Sequence, residues 1–182
     1  QPDGSAGAPE REAAYPLADT FRLHSNPGAS KVIYLDFDGH ITTGTPWNSS
    51  RGIDPIVTPA YDLDGNPSGF SAAELQRIQD IFDLVSEDFI PFQVDVTTEV
   101  PGVEALRNTG AGDTQWGIRV VFGPDQMSTG AGGIAYIGSF SWSTDVPCFV
   151  FNVGFKGAAE AGTHETGHTL WLYHDGYPLS GY

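Results

Sequence analysis

The 182-residue chain holds one cysteine, Cys148, and one methionine, Met127. A single thiol excludes an internal disulfide framework and any metal site built from clustered cysteines. Basic side chains are also scarce: 8 Lys and Arg face 23 Asp and Glu, a formal net charge of −15. A surface that acidic repels phosphate, which argues against nucleic acid and against an anionic membrane as partners. No apolar run approaches the roughly 18 residues that a membrane-spanning helix needs. Charged residues make up only 17% of the chain and hydrophobic residues 40%, the balance of a globular chain and not of a disordered one. The length suits one domain and closes a core without staples.

Glycine (23) and proline (13) are plentiful, and both point to many turns. The chain opens on Gln1 and a polar stretch to Pro9, without an initiator methionine. This reads as a mature end left after removal of a leader, although a trimmed chain would look the same. With little lysine, it fits an extracellular, secreted protein. Residues 1–30 show scattered Pro and Gly and no period, so they are expected to form an extended arm before a domain over 31–182.

Residues 31–38 read as a strand, with Val32, Tyr34, Asp36 and Asp38 on one face and Ile33, Leu35 and Phe37 on the other. Residues 39–69 are turn-rich and read as a long surface excursion. Ser71 and Glu74 form a capping box, and Phe70 with Leu75 a hydrophobic staple. The stripe Leu75, Ile78, Ile81, Phe82, Val85 and Phe89 then predicts a helix that Pro91 stops. Strands are predicted over 92–98, 116–122, 133–138 (a Gly-flanked edge) and 148–153, and a second helix over about 158–170. The order β, α, several β, α predicts an α/β (α+β) layer structure: a mixed twisted sheet, a backing helix and a second helix that carries the chemistry.

That helix contains His164-Glu165-Thr166-Gly167-His168. Residues i and i+4 share a helix face, so both imidazoles can reach one ion. Glu165 lies beside the first ligand, where a carboxylate can take a proton from a water held by Zn²⁺ and return it to the leaving amine. A third ligand is required. No Glu follows Glu165, so the candidates are His174 and its neighbour Asp175. Imidazole is the commoner zinc ligand, which favours His174 and leaves Asp175 a supporting carboxylate. On a continuous helix His174 would stand about 15 Å beyond His164, so the helix must stop near Trp171 and the chain must turn back.

The pattern HExxHxxxxxH followed by Asp resembles the metzincin zinc endopeptidases, most closely their reprolysin (adamalysin)-like branch. The resemblance spans residues 31–176, and its specific part is 133–138 and 164–175. It implies a metzincin-like upper subdomain with zinc on His164, His168 and His174, and with Glu165 as general base. It also implies that Gly133, Ile134, Ala135 and Tyr136 form an edge that pairs with an extended peptide or protein substrate. Two departures stand out. The family has Gly where this chain has Trp171, so Trp171 must take a left-handed conformation or the turn must shift by a residue. The family's methionine turn lies downstream of the third histidine, whereas Met127 lies upstream. The lower subdomain is largely absent from the sequence before Tyr182, and a further segment of the same protein is expected to supply it. The implied function is secreted zinc-dependent peptide hydrolysis. The alternative is a zinc-binding but inactive fragment or binding domain.

Three smaller features complete the reading. Asp62, Asp64 and Asn66 resemble the start of a calcium loop, yet Ala73 stands where the bidentate Glu belongs, so Ca²⁺ and a solvated Asx turn are both open. His40 after Asp36 and Asp38 is either an ordinary polar residue or part of a second metal site. Cys148, in an apolar strand, reads as a buried structural thiol.

Overall fold

The computed structural model describes residues 13–151 and 154–174. Five strands form one sheet: β1 (Lys31–Asp36), β4 (Asp95–Thr97), β5 (Trp116–Phe122), β6 (Gly133–Ile134) and β7 (Cys148–Val150). Their order is β4-β1-β5-β7-β6, parallel throughout except for β6, which runs antiparallel to β7 at one edge. The molecule is a mixed α/β structure, and β5 has the predicted bounds.

The two faces of β1 divide as its alternation predicts. Ile33, Leu35 and Phe37 join Ile118, Val120 and Phe122 beneath two helices, α2 (Ala72–Phe89) and α3 (Phe155–Thr169). The other face carries Tyr34, Val121 and Phe149 under loops that contribute Leu106, Trp47, Met127 and Val146. Cover on both sides explains why β1 is buried from Val32 onward.

Helix α2 starts at the predicted box: Ser71 Oγ accepts from Glu74 N at 3.3 Å, and Glu74 Oε2 accepts from Ser71 N at 2.7 Å. Ile78, Ile81, Phe82, Val85 and Phe89 point into the core. Phe70, just before the box, packs on Phe21 with ring centroids 5.0 Å apart. Helix α3 comes close to the sheet through small residues: Ala158 and Ala159 are buried, and Gly162 faces the Phe122 ring.

The 39–69 excursion is more ordered than its sequence indicates. Strands β2 (His40–Thr42) and β3 (Ile56–Thr58) pair antiparallel around a short helix, α1 (Pro46–Arg51). Thr45 and Asn48 box the helix start, and left-handed Gly52 ends it. Trp47 then locks the unit onto the sheet, with Nε1 donating to Pro147 O at 2.7 Å. Strand β4 is shorter than the predicted 92–98, and Phe92 lies exposed in the turn before it.

Residues 13–30 are not simply extended. Leu17–Arg22 forms a 3-10 helix against α2, and the next residues cover the outer edge of β4. Leu23 N donates to Thr98 Oγ1, Ser25 N to Val96 O, and Asn26 N to Asp95 Oδ1. His24 is held between two carboxylates, with Nδ1 2.7 Å from Asp95 Oδ2 and Nε2 2.8 Å from Glu99 Oε2. Burial opposes charging the ring, but its bonds to Glu99 and Asp95 outweigh burial and raise its pKa. A raised folded-state pKa stabilises fully below the ordinary value of 6.5, and the gain disappears as pH rises through the folded-state value. The melting-temperature gap between the wild type and His24→Ala should therefore be wider at about pH 5.5 than at about pH 9.

Candidate metal centre

His164 and His168 sit one turn apart on α3, ring centroids 4.5 Å apart. The chain then reverses. Leu170 caps the helix, Trp171 N donates to His168 O at 3.1 Å, and Leu172 N donates to Gly167 O at 3.0 Å. These are the two bonds of a Schellman motif, and they require a left-handed residue between them. Trp171 is that residue, with φ of 71°. Its Cβ makes the conformation cost roughly 1–2 kcal/mol relative to glycine.

The indole lies over the bare Cα of Gly138, where a Cβ would meet the ring at 2.3–2.8 Å. Gly138 N also donates to His168 O at 3.0 Å. The end of the edge segment is thus tied to the turn that carries the third histidine.

The reversal brings His174 Nε2 to 2.8 Å from His164 Nε2 and 3.0 Å from His168 Nε2. His168 Nδ1 lies 2.7 Å from Leu172 O. A carbonyl only accepts, so Nδ1 carries the proton and the Nε2 lone pair of the neutral ring faces inward. Neutral imidazoles cannot hold bare lone pairs this close. A shared proton or a cation must lie among them, and three Zn–N bonds of about 2.0–2.1 Å would place such nitrogens about 3.3 Å apart. Burial, then the neighbouring His168 and His174, lowers the pKa of His164 and favours the neutral ligand form. The residues present fit a tri-histidine metal site. Asp175 lies outside the described residues.

Glu165 is buried at 6% exposure, and burial pushes its carboxyl up to about 7. It belongs to no metal-ligating group among the described residues. Its side chain lies across Gly133, where an added Cβ would fall 2.7 Å from Glu165 Cγ and 2.8 Å from Oε1. Strand β6 covers only Gly133–Ile134 of the predicted 133–138. Ala135 and Tyr136 continue along the same cleft without strand pairing. The cleft encloses about 860 Å³ between this edge, α3 with its histidines, and α1, whose Trp47, Ser50 and Arg51 form the far side. Nothing in the sequence pattern marked that far side. Trp47 packs on Tyr136 with ring centroids 4.0 Å apart and planes tilted by 40°, and Ser50 Oγ lies 3.2 Å from Tyr136 Oη.

The other candidates resolve differently. His40 lies 3.8 Å from Asp36, but Arg119 takes the place of a cation, donating to Asp36 at 2.7 Å and to Asp145 at 2.9 Å. Burial and Arg119 push His40 down to about 4. Cys148 is fully buried, which raises its thiol well above the ordinary value, so it is no zinc thiolate. Met127 is packed in the loop-covered cluster. Asp62 and Asp64 meet Glu74, one residue past the position where a Glu was sought. Backbone amides already engage all three: Asp64 and Gly65 on Asp62, Asn66 on Asp64, Leu63 and Ser71 on Glu74.

No protein-family model, curated protein or solved structure matches the chain. The candidate metal centre therefore rests on its geometry alone. If Gly133 makes room for Glu165, then Gly133→Ala should displace the carboxylate and leave the histidines in place. Zinc affinity by chelator competition should stay within about threefold of the wild type, since no ligand changes. Any zinc-dependent hydrolysis should fall by a factor on the order of 10² or more, in the range of general acid–base catalysis.

Proposed function

We propose that the protein is a zinc-dependent endopeptidase of metzincin type, acting outside the cell on extended peptide segments. The observation that carries this reading is the convergence of three imidazole nitrogens beside a buried, non-ligating carboxyl at the mouth of a long cleft. A site that only held zinc for stability would have no use for Glu165 or for an open cleft. The high acidic charge and the lack of reliance on cysteine support a secreted protein, and no helix among the described residues is long and apolar enough to cross a membrane.

His164, His168 and His174 would hold the metal. When bound, it would polarise the substrate carbonyl and make a nearby water more acidic. The remaining work falls to this chain's own groups. The Leu172 carbonyl fixes the His168 tautomer, which keeps one nitrogen available as a ligand. Glu165 takes the proton from the attacking water and passes it to the departing amide nitrogen, a shuttle that suits a carboxyl whose pKa lies near neutrality. Strand β6, outermost in its sheet, offers backbone groups to an extended substrate, which would add itself as a further strand. Trp47 and Tyr136 give the cleft an aromatic floor for side chains.

The test is Glu165→Gln. The amide keeps the shape and loses the proton shuttle. Zinc should remain bound at one equivalent, while turnover of a zinc-loaded sample on an unfolded protein substrate should drop by a factor on the order of 10² to 10⁴. Loss of the metal in this variant would make Glu165 a ligand and overturn the assignment. A wild-type protein that binds zinc and hydrolyses nothing would instead be the inactive binding domain.

A further inference from the structure

The cleft's charges are unevenly satisfied. Glu165 is buried against Gly133, and Glu160 pairs with Lys156 at 3.5 Å. Arg51, the last residue of α1, is the one Lys or Arg lining the cleft among the described residues, and it is exposed. It makes no hydrogen bond, ion pair or ring contact among the described residues. Elsewhere Arg107 pairs with Glu104, Arg119 with Asp36 and Asp145, and Lys31 lies over Trp116. Arg22 is likewise exposed and without such a contact, so what sets Arg51 apart is its place in the cleft lining.

The fold fixes where this cation stands. Trp47 anchors α1 to the sheet through Pro147 O, and Ser50 meets the Tyr136 hydroxyl. Arg51 follows Ser50 directly. Tyr136 is three residues along the edge from Gly133, which touches Glu165, so at most about 10 Å of extended chain separates the two positions. A substrate lying along the edge, with its reacting bond at Glu165, would bring a side chain two to four residues away to Arg51.

We infer that Arg51 is a specificity-determining residue that selects peptides carrying an Asp or Glu side chain within about four residues of the cleaved bond. The inference rests on the peptidase reading above. A guanidinium offers a planar fork of donors that a carboxylate accepts in pairs, and a neutral amide or an ammonium cannot reproduce that match. Glu160, which also lines the cleft, has the Lys156 ammonium 3.5 Å away as a nearer partner.

The experiment uses the zinc-loaded full chain on an equimolar mixture of synthetic peptides of known sequence, with cleavage sites read by mass spectrometry. Wild type, Arg51→Ala and Arg51→Glu are compared, each first shown to bind one equivalent of zinc. In the wild type, sites with Asp or Glu in the stated window should be cut roughly tenfold faster in kcat/KM than matched Asn or Gln sites, the scale of one charge-assisted bond. Arg51→Ala should level the two, and Arg51→Glu should turn the preference toward Lys and Arg. Reversal by one charge change is an effect that a merely structural arginine would not produce. Cleavage by the wild type without acidic preference, or an unchanged profile in Arg51→Glu, overturns this inference and leaves the peptidase reading standing. No cleavage by any of the three overturns both.

Discussion

The functional reading depends on a chain reversal of five residues, 170–174. Two histidines one turn apart on a helix supply only two nitrogens to an ion, and the third must come from a chain that has left the helix axis. The reversal here is made by a tryptophan at φ 71°, in a position that ordinarily calls for glycine. Its backbone costs roughly 1–2 kcal/mol, which the packing of its indole on Gly138 and the two Schellman bonds offset. If the three histidines hold zinc as we propose, apparent binding energies of about 10 kcal/mol or more would exceed that strain several-fold.

The same reversal couples the metal centre to the sheet edge. Gly138 donates to His168 O while supporting Trp171, and Gly133, five residues earlier, makes room for Glu165. Edge and helix therefore meet at two points, one beside the carboxyl and one beside the ligands. Each contact needs a missing Cβ on the edge segment and a large side chain facing it, Glu165 from the helix and Trp171 from the reversal. The buried sheet behind holds this register: Gly133 pairs with Val150 and Ile134 with Phe149, and the Phe149 face is closed by Trp47 from α1.

Much of this was legible in the sequence wherever one local pattern sufficed. The Ser71–Glu74 box with its apolar stripe gave α2, and residues 116–122 read as a strand with the bounds of β5. The spacing of His164, His168 and His174 predicted the histidine cluster that the structure brings together, along with the need for a turn and a left-handed Trp171. Features that depend on contacts distant in sequence were not legible. Strands of three residues such as β2 and β3 are too short to show a period, so the unit around α1 read as loop, although Thr45, Pro46 and Asn48 carried a usable helix-start signal. Arg51 had no mark in the sequence, because its place in the cleft comes from Trp47 reaching Pro147, a hundred residues on. The partner of the Trp171 indole was not legible, since nothing near it in sequence announces Gly138. The arm before β1 read as extended because the bonds from 23–26 to the outer edge of β4 are all long-range.

The central claim is that three imidazoles bind one ion and leave a position open. X-ray absorption at the zinc edge, on protein carrying one equivalent of zinc, tests it most directly. The account predicts a first shell of light atoms at about 2.0–2.1 Å with the multiple-scattering signature of three imidazole rings and one further oxygen. A shell with two rings or fewer, or one with a sulfur at about 2.3 Å, would contradict it.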